Sequence, residues 1–416
     1  MLFPAPFQVD FPMNLVSATR HRRWAPTLWE ILRVFLQLGL TSFGGPIAHL
    51  GYFRREFVTK RGWLDEHAYA DLVALGQFLP GPASSQVGMA LGYLRGGIGG
   101  AVAAWLGFTL PSALLLVVFG LGLHDLSGWI GGDWLHGLKV VAVAVVAQAL
   151  WGMGRSLTPD KERVSVAVAA LVVASLFPSS RGQVAAIVAA GVFGWRFLVL
   201  PASPLDDLAP MGGRRSVGAV FLVAFMALLV GLPLLATESP SYPLHLADSF
   251  YRAGALVFGG GHVVLPLLQA QVVPAGWVSN SDFLAGYGAA QAVPGPLFSF
   301  AAFLGAVSSQ SPSGWVGAGI ALIAIFLPGF LLVLGALPFW EHLRRYEAMR
   351  RAMLGINAAV VGLLLAAFFN PVWSSAVTDA KDFCLAVIAF ALLVFWKVPP
   401  WLVVIFAAVA AGSGFA

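Results

Sequence analysis

The chain has 416 residues, of which 59% are hydrophobic and only 10% are charged. Because a soluble globular protein carries about 25% charged residues, the composition excludes that class and indicates a polytopic membrane protein. The net charge of +5 is small and its basic residues are scattered through loops, which argues against a nucleic-acid partner. The single cysteine, Cys384, leaves no disulfide framework or cysteine metal cluster, and we expect neither cofactor nor metal.

Residues 1–27 are polar or irregular and predict a cytoplasmic tail that carries Arg20, Arg22 and Arg23. Thirteen apolar segments follow, several of them near the minimum of about 17 residues for a membrane span. They cover roughly residues 28–53, 68–94, 98–123, 134–154, 162–178, 182–200, 216–236, 246–272, 282–309, 313–338, 351–370, 381–397 and 399–415. The pattern predicts an all-α polytopic membrane protein.

The motif Pro80-Gly81-Pro82 interrupts the segment 68–94. Proline removes a backbone donor and clashes with the preceding turn, so one helix should end near Leu79 and another should begin near Pro82. The N–H groups of Ser84 and Ser85 in the new first turn would then face the break with a positive partial charge, as anion sites require. A simple proline kink is the alternative.

The same motif returns in the second half of the chain. Gln77, three residues before Pro80, is matched by Gln291, three residues before Pro294-Gly295-Pro296. Paired Gly/Pro interruptions in two halves indicate the binding site of a transporter. Each glutamine should reach the break with its side-chain amide, to orient a substrate or to cap unpaired carbonyls.

A second pair of breaks supports the repeat. Phe43-Gly44-Gly45 precedes Pro46, and its counterpart Phe258-Gly259-Gly260 precedes Gly261. Glycine lets another backbone or a ligand approach closely. Tight helix packing explains these residues equally well, and both readings can hold together.

The repeats predict the organisation of the chain. A first repeat covers residues 28–200, residues 201–245 form a linker with one transmembrane helix, and a second repeat covers 246–416. Each repeat has six segments, and the odd offset of seven favours inverted repeats with broken helices at the midplane. If segments 28–53 and 246–272 are re-entrant hairpins instead, the repeats become parallel, and loop charges separate these alternatives only weakly.

Ionisable residues within membrane segments are functional candidates because they are costly there. His49, Asp71 and His262 are candidates for carrying a proton. The alternatives are histidines bonded to backbone and an aspartate paired with a nearby arginine. Arg54 and Arg55 are candidates for attracting an anion at the entrance.

No hydrolytic, redox or nucleotide-binding constellation is evident, so we expect a protein without enzymatic activity. The glycine-rich stretch Gly96-Gly97-Ile98-Gly99-Gly100 ends one membrane segment and begins the next, and it predicts a turn. A lipid-handling enzyme or scramblase is an alternative, as is a passive anion channel. Lipid turnover without a gradient would identify the former, and failure to accumulate the anion would identify the latter.

The spacing from Gly44-Gly45 through Val58 and Trp63 to Pro80-Gly81-Pro82, followed by Gly92 and Gly100, resembles the signature of the chromate ion transporter family. The likeness covers about residues 28 to 415 and includes the second motif set. It departs from the family pattern at Gly261, where the first half has proline, which puts two equivalent sites in doubt.

The resemblance implies export of chromate across the bacterial inner membrane, driven by the proton gradient and giving chromate resistance. Sulfate is a similar dianion, so transport or exchange of sulfate or another oxyanion is the alternative. Oligomeric state is left open, with a homodimer as one option. The candidate substrate-binding residues are Gly44, Gly45, Gln77, Pro80, Gly81, Pro82, Ser84, Ser85, Gly259, Gly260, Gln291, Pro294, Gly295 and Pro296.

Overall fold

The computed structural model describes residues 27–130, 133–200 and 214–414. The predicted tail, apart from Thr27, and residues 201–213 of the predicted linker lie outside these ranges. The described residues are helical, without strands. Five helical stretches are long and apolar enough to cross a membrane, and they are Ala83–Leu123, Asp133–Leu157, Arg215–Glu238, Gly314–Arg345 and Glu347–Ala376.

The first half and the connecting helix contain eight helices. They are α1 (Leu28–Thr41), α2 (Gly45–Phe53), α3 (Glu66–Phe78), α4 (Ala83–Ile130), α5 (Asp133–Leu157), α6 (Lys161–Leu176), α7 (Ser180–Phe197) and α8 (Arg215–Glu238). A π-helical stretch, Arg54–Lys60, extends α2. Non-helical backbone at Gly96 and Gly97 divides α4 into a first arm, residues 83–95, and a second arm, residues 98–130, at the glycine-rich turn that the sequence predicts.

The second half repeats this order with shorter pieces. Its helices are α9 (Tyr242–Ala255), α10 (Val264–Val272), α11 (Asn280–Ala292), α12 (Phe300–Ala306), α13 (Gly314–Ala336), α14 (Trp340–Arg345), α15 (Glu347–Ala367), α16 (Ser374–Ala376), α17 (Ala380–Val394) and α18 (Pro400–Gly412). Equivalent residues begin equivalent helices: the Asp65 carboxylate accepts from the N–H of Ala68 to start α3, and the Ser279 hydroxyl accepts from Asp282 to start α11.

Each of the four segments with a Gly or Pro break is two short helices and not one span. The longest α-helices among them, α1 and α9, have 14 residues, or about 21 Å, and α2 with its π-helical extension has 9 plus 7 residues, where a span needs about 20 residues. These lengths favour hairpins that re-enter over thirteen continuous spans. Glycine and proline at the breaks end the helical hydrogen bonding that a continuous span would need.

In the first half, the broken segments return to the level at which they began. Arg61, just after α2, lies 3.6 Å from the Glu30 carboxylate at the start of α1. Arg95, at the end of the first arm of α4, donates to the carbonyl of Trp63 before α3. We call Glu30, Arg61, Trp63 and Arg95 the first base. Helices α1 and α2 form one hairpin above it, and α3 and the first arm of α4 form another.

The second half has the same arrangement. Ser309, after α12, donates its N–H to the carbonyl of Trp277, which precedes α11. The Tyr242 hydroxyl at the start of α9 is hydrogen-bonded to Ser308. We call Tyr242, Trp277, Ser308 and Ser309 the second base.

The second arm of α4 connects the two bases. At one end, Gly99 lies against Leu28, at the start of α1 beside the first base. At the other end, Gly120 lies against Val307, beside the second base. The 21 helical steps from Gly99 to Gly120 extend about 32 Å, which is close to the thickness of about 30 Å of the hydrocarbon core.

Candidate functional site

The four breaks meet between the two halves. The Gly81 N–H donates to the carbonyl of Val257 at 2.7 Å, and the Gly295 N–H donates to the carbonyl of Ser42 at 2.9 Å. Each bond joins the Pro-Gly-Pro motif of one half to the residue just before the Phe-Gly-Gly motif of the other. Backbone donors at membrane depth need a partner, and here each half supplies the partner for the other.

Only glycine fits at the centre of each Pro-Gly-Pro motif. Gly81 has φ +125° and Gly295 has φ +104°, conformations that L side chains rarely adopt. A Cβ on Gly81 would lie 2.9 Å from Gln86 Nε2, and a Cβ on Gly295 would lie 2.8 Å from Ser112 Oγ. The Gln86 amide in turn donates to the carbonyl of Pro80 at 2.8 Å. Backbone conformation and space therefore both exclude a side chain.

Buried polar atoms without a partner collect around the first-half breaks. Within the described part of the chain, no group bonds to Ser42 Oγ, His49 Nε2, Ser85 Oγ or Gln86 Oε1. These four residues are at most 3% exposed. A buried polar group without a partner is costly, so such a cluster marks a place where a polar ligand could complete the hydrogen bonding.

The predicted helix start lies beside this cluster. Helix α3 ends at Phe78, and α4 begins at Ala83 with Ser84 and Ser85 buried in its first turn. The first N–H that bonds back within the helix is that of Gln86, to the carbonyl of Pro82. The N–H groups before it belong to the donor-rich end of a helix dipole. In the second half the corresponding turn is Leu297–Ser299, which offers one hydroxyl, Ser299, bonded to Pro296.

The two candidate histidines have different partners. His49 Nδ1 lies 3.3 Å from Ser84 Oγ and the ring is 1% exposed. His262 Nδ1 lies 2.8 Å from the Tyr287 hydroxyl. His49 is also hydrogen-bonded to the backbone of Ser42, as the alternative from the sequence expected, whereas the hydrogen bond of His262 is to a side chain. His49 is the one that joins the cluster of unpaired atoms.

Asp71 is held in a buried pair between the halves. Its Oδ1 accepts from Trp340 Nε1 at 3.1 Å and from Arg344 Nη1 at 3.3 Å. Asp71 is 5% exposed and Arg344 is 9% exposed. The expectation that Asp71 pairs with an arginine near it in the sequence is wrong, because the α3 hairpin packs against α14 of the other half.

Arg54 and Arg55 lie exposed near the first base. Arg54 forms a two-point ion pair with Glu66 at 2.8 Å. The hydrogen bonds from Arg54 hold the pKa of the Glu66 carboxyl below its usual range, because they stabilise its ionised form. The Arg55 guanidinium stacks over the Tyr52 ring at 5.5 Å. The charge of Arg54 is thus largely neutralised, whereas Arg55 has only an aromatic neighbour among the contacts described.

The breaks differ in exposure between the halves. Gly44 and Gln77 are exposed, and apart from a Cβ contact of Gly44 with Ala48 the Gly44–Gly45 turn has open space around it. In the second half, Gly259 is surrounded by Leu157, Val360 and Asn357, and Gln291 is half-buried. Gly260 has open space like Gly45, and Pro294 and Pro296 are buried like Gly81 and Pro82. The first-half breaks are therefore more accessible at Gly44 and Gln77 than the second-half breaks are at Gly259 and Gln291.

Sequence reasoning missed two residues of this region, Ser112 and Lys139. Ser112 lies beside Gly295 but carries no charge to draw attention. Lys139 is different, because it is an ionisable residue inside the apolar segment 134–154 and the rule applied to the histidines would have selected it.

These features define a multi-pass helical membrane protein of two related halves with broken helices at their contact. A family model described as "Chromate transporter" matches residues 29–195 and 244–412. The chain belongs to the chromate transporter family. The two matched regions, one in each half, accord with the repeated motifs.

Curated relatives agree with this assignment. The chain is 28% identical to the probable chromate transport protein of Synechococcus elongatus, over 94% of this chain and 96% of the relative. It is 27% identical to the chromate transport protein of Cupriavidus metallidurans, over 93% and 92%. It is 28% identical to that of Pseudomonas aeruginosa, over 80% and 79%. No solved structure matches the chain.

Proposed function

We propose that this protein is a secondary active transporter that exports chromate across the bacterial inner membrane and confers chromate resistance. The observation that carries the proposal is the meeting of four helix breaks beside buried, unpaired polar atoms. Transporters place substrate sites at such breaks near the midplane. The relatives named as chromate transport proteins support chromate as the substrate.

Chromate is a tetrahedral dianion, and the first-half break offers the donors that it needs. The N–H groups of the first turn of α4 and the hydroxyls of Ser84 and Ser85 would bind its oxygens. Gln77 would orient it from the exposed side, and Gln291 would do so from the covered side. The glycines and prolines of the breaks would keep the backbone groups free of helical hydrogen bonds. They are Gly44, Gly45, Pro80, Gly81, Pro82, Gly259, Gly260, Pro294, Gly295 and Pro296.

We propose that the two halves are inverted repeats. The hairpins of each half rise from their own base, and the second arm of α4 separates the bases by about 32 Å. If the hairpins re-enter, five crossings separate equivalent positions, namely the second arm of α4 and helices α5 to α8. Five is odd, so the second half enters from the opposite side. Re-entry of all four broken segments therefore favours inversion, whereas the parallel alternative from the sequence has only segments 28–53 and 246–272 re-entering.

The loop charges support this topology. Of the 21 Lys and Arg within the described residues, 16 fall on the side of the first base. Arg33, Lys139 and Arg252 lie within helices, and Arg181 and Lys381 fall on the other side. Lys and Arg are retained on the cytoplasmic side, so the first base is assigned to the cytoplasm. The basic cluster at Arg54–Arg61, which would lie outside if all thirteen segments crossed the membrane, lies on the cytoplasmic side in this topology.

The difference in exposure fits alternating access. With the first base in the cytoplasm, the accessible breaks of the first half admit cytoplasmic chromate, and Arg55 attracts it more effectively than the paired Arg54. Rocking of one half against the other would then expose the second-half breaks. His49, His262 and Asp71 are the proposed proton carriers. We favour His49, since it contacts Ser84 at the substrate site, whereas Asp71 is held by Arg344.

The test uses everted membrane vesicles energised with a respiratory substrate. We expect labelled chromate to accumulate, accumulation to collapse with a protonophore, and the variant Pro80→Ala/Pro82→Ala to lose uptake while remaining folded. Transport by that variant at the wild-type rate would contradict the broken-helix site. Accumulation that persists with protonophore would contradict proton coupling.

Sulfate transport is the second candidate function. The hydroxyl and N–H donors would bind the oxygens of any tetrahedral dianion, and none of these hydrogen bonds is specific for chromium. Sulfate in excess should therefore compete with chromate, and labelled sulfate that accumulates without chromate competition would make sulfate the substrate.

A further inference from the structure

Lys139 is a cation within the membrane, and none of the features described above gives it a role. It lies in the second turn of α5, and residues 140–146 directly after it are all buried. The side chain is half-buried, and none of its contacts in the described part of the chain is a hydrogen bond or an ion pair. A charge at such a position is costly and is kept for ions or substrates.

The helix that carries Lys139 is fixed against the second-half break. A Cβ on Gly288 would lie 2.2 Å from the carbonyl oxygen of Leu138, so α11 and α5 are in direct backbone contact there. Gly288 is one turn before Gln291 at the end of α11. On the neighbouring face, Gly137 packs against the backbone of Ala407 in α18. Lys139 therefore lies near the level of the breaks, on a helix with little freedom to move.

The internal repeat identifies what this position contacts. Gly137-Leu138 corresponds to Gly355-Ile356, so Lys139 corresponds to Asn357 of α15. Asn357 Oδ1 lies 3.6 Å from the Cβ position of Gly259, at the break of the second half, and it has no hydrogen-bond partner in the described chain. The same relation in the first half would place Lys139 opposite Gly44, where the space is open.

We propose that Lys139 supplies the positive charge that balances the oxyanion in the translocation path. It faces the first-half break from the non-cytoplasmic half of the membrane. Asn357 is its uncharged counterpart, so the path has one fixed positive charge and not two. An ammonium group is a compact, well-hydrated point charge on a flexible stem, which allows the anion to be bound and then released. This inference rests on the proposed transport function and names the residue that selects a dianion.

The nearest ionisable neighbour of Lys139 on α5 is already paired. His136, one turn before Lys139, lies 2.6 Å from the Asp382 carboxylate in α17. Asp382 also accepts from the N–H and the hydroxyl of Thr378. These bonds occupy His136 and leave Lys139 as the cation in the first two turns of α5 that is available to a substrate, whereas Arg155 lies in the last turn, over the Trp151 ring.

The experiment measures chromate transport in proteoliposomes with an imposed proton gradient. Lys139→Gln should raise the KM for chromate at least 10-fold and reduce the preference for divalent over monovalent oxyanions, and Lys139→Arg should retain most activity. Lys381→Gln is the matched control, because Lys381 is exposed and its one hydrogen bond within the described residues is to the carbonyl of Gly414. We expect this control to behave as wild type.

A second variant and a binding measurement separate a substrate role from a structural one. The exchange Lys139→Asn/Asn357→Lys restores the number of charges beside the breaks, and we expect it to recover the KM to within about 3-fold. Equilibrium dialysis of chromate with purified protein should show the same order of affinities. A Lys139→Gln protein that transports and binds as wild type would overturn the proposal, as would an exchange variant no better than Lys139→Gln.

The two proposals fail differently. If wild-type protein transports no chromate, the proposed function fails, and Lys139 is then tested with labelled sulfate in the same vesicles. If wild type transports chromate and Lys139→Gln is unaltered, only the inference about Lys139 fails.

Discussion

The pair between Asp71 and Arg344 gives the sharpest test of the structure. Both side chains are at least nine-tenths buried, and the pair joins the α3 hairpin to α14 across the two halves. Removing one member of a buried ion pair costs about 3–5 kcal/mol, because the other charge stays buried. Asn at position 71 can still accept from Trp340, so we take the lower end, about 3 kcal/mol, for Asp71→Asn.

The assay is unfolding of the purified protein by SDS, followed by the helical circular dichroism signal. Asp71→Asn should lower the free energy of unfolding by about 3 kcal/mol. The double variant Asp71→Leu/Arg344→Leu should return to within about 1 kcal/mol of wild type, because two apolar side chains can replace a buried pair at little cost. Glu66→Gln, which breaks the exposed pair with Arg54, should cause no measurable change.

Two outcomes would refute this reasoning. If Asp71→Asn is as stable as wild type, the pair does not hold the halves together. If the double variant is no more stable than Asp71→Asn, the cost of the single substitution does not come from an unpaired buried charge.

Three further predictions concern the breaks and the entrance. Gly81→Ala should reduce transport at least 10-fold, since φ +125° and the Gln86 amide leave no room for a methyl group. Gln77→Cys should react with an impermeant maleimide in everted vesicles, and Gln291→Cys should react at least 10-fold more slowly, because the first-half break is the exposed one. Arg55→Gln should raise the KM for chromate more than Arg54→Gln does, and the difference should shrink at high salt, which screens exposed charges.

Each of these predictions has its own control. Gly97→Ala has a similar backbone requirement, with φ +60°, but no atom within 4 Å of the new Cβ, so it should retain most transport. Labelling uses a Cys384→Ser background, because the native cysteine is exposed. Equal labelling of the two glutamine positions would contradict an opening on one side. Equal effects of the two arginine variants would contradict neutralisation of Arg54 by Glu66.

The positions of the breaks could be predicted from sequence because the cause is local. Proline and glycine act on the backbone where they stand, and α3 ends at Phe78 and α4 begins at Ala83, as the motif predicts. Pro46 likewise lies in the first turn of a new helix, α2. The turn at Gly96-Gly97 is also confirmed.

The return of the hairpins could not be predicted in the same way. A re-entrant hairpin and a single span both need about 25 apolar residues, so hydropathy does not distinguish them. The arginines of the first base were the available signal, since they conflict with thirteen spans. Asp71 and Arg344 are 273 residues apart, and no local pattern reveals a partner at that distance.

The two hydrogen bonds between the breaks have a consequence for how the protein is assembled. Gly81 needs the carbonyl of Val257, and Gly295 needs that of Ser42, so neither half can satisfy its own backbone. Each half therefore resembles a subunit that is covalently linked to the other half. Cleavage of the chain between α7 and α8 should leave a functional two-chain complex. Either half produced alone should be degraded, because the backbone groups at its breaks lack their partners. Covalent continuity would then serve mainly to fix a one-to-one stoichiometry.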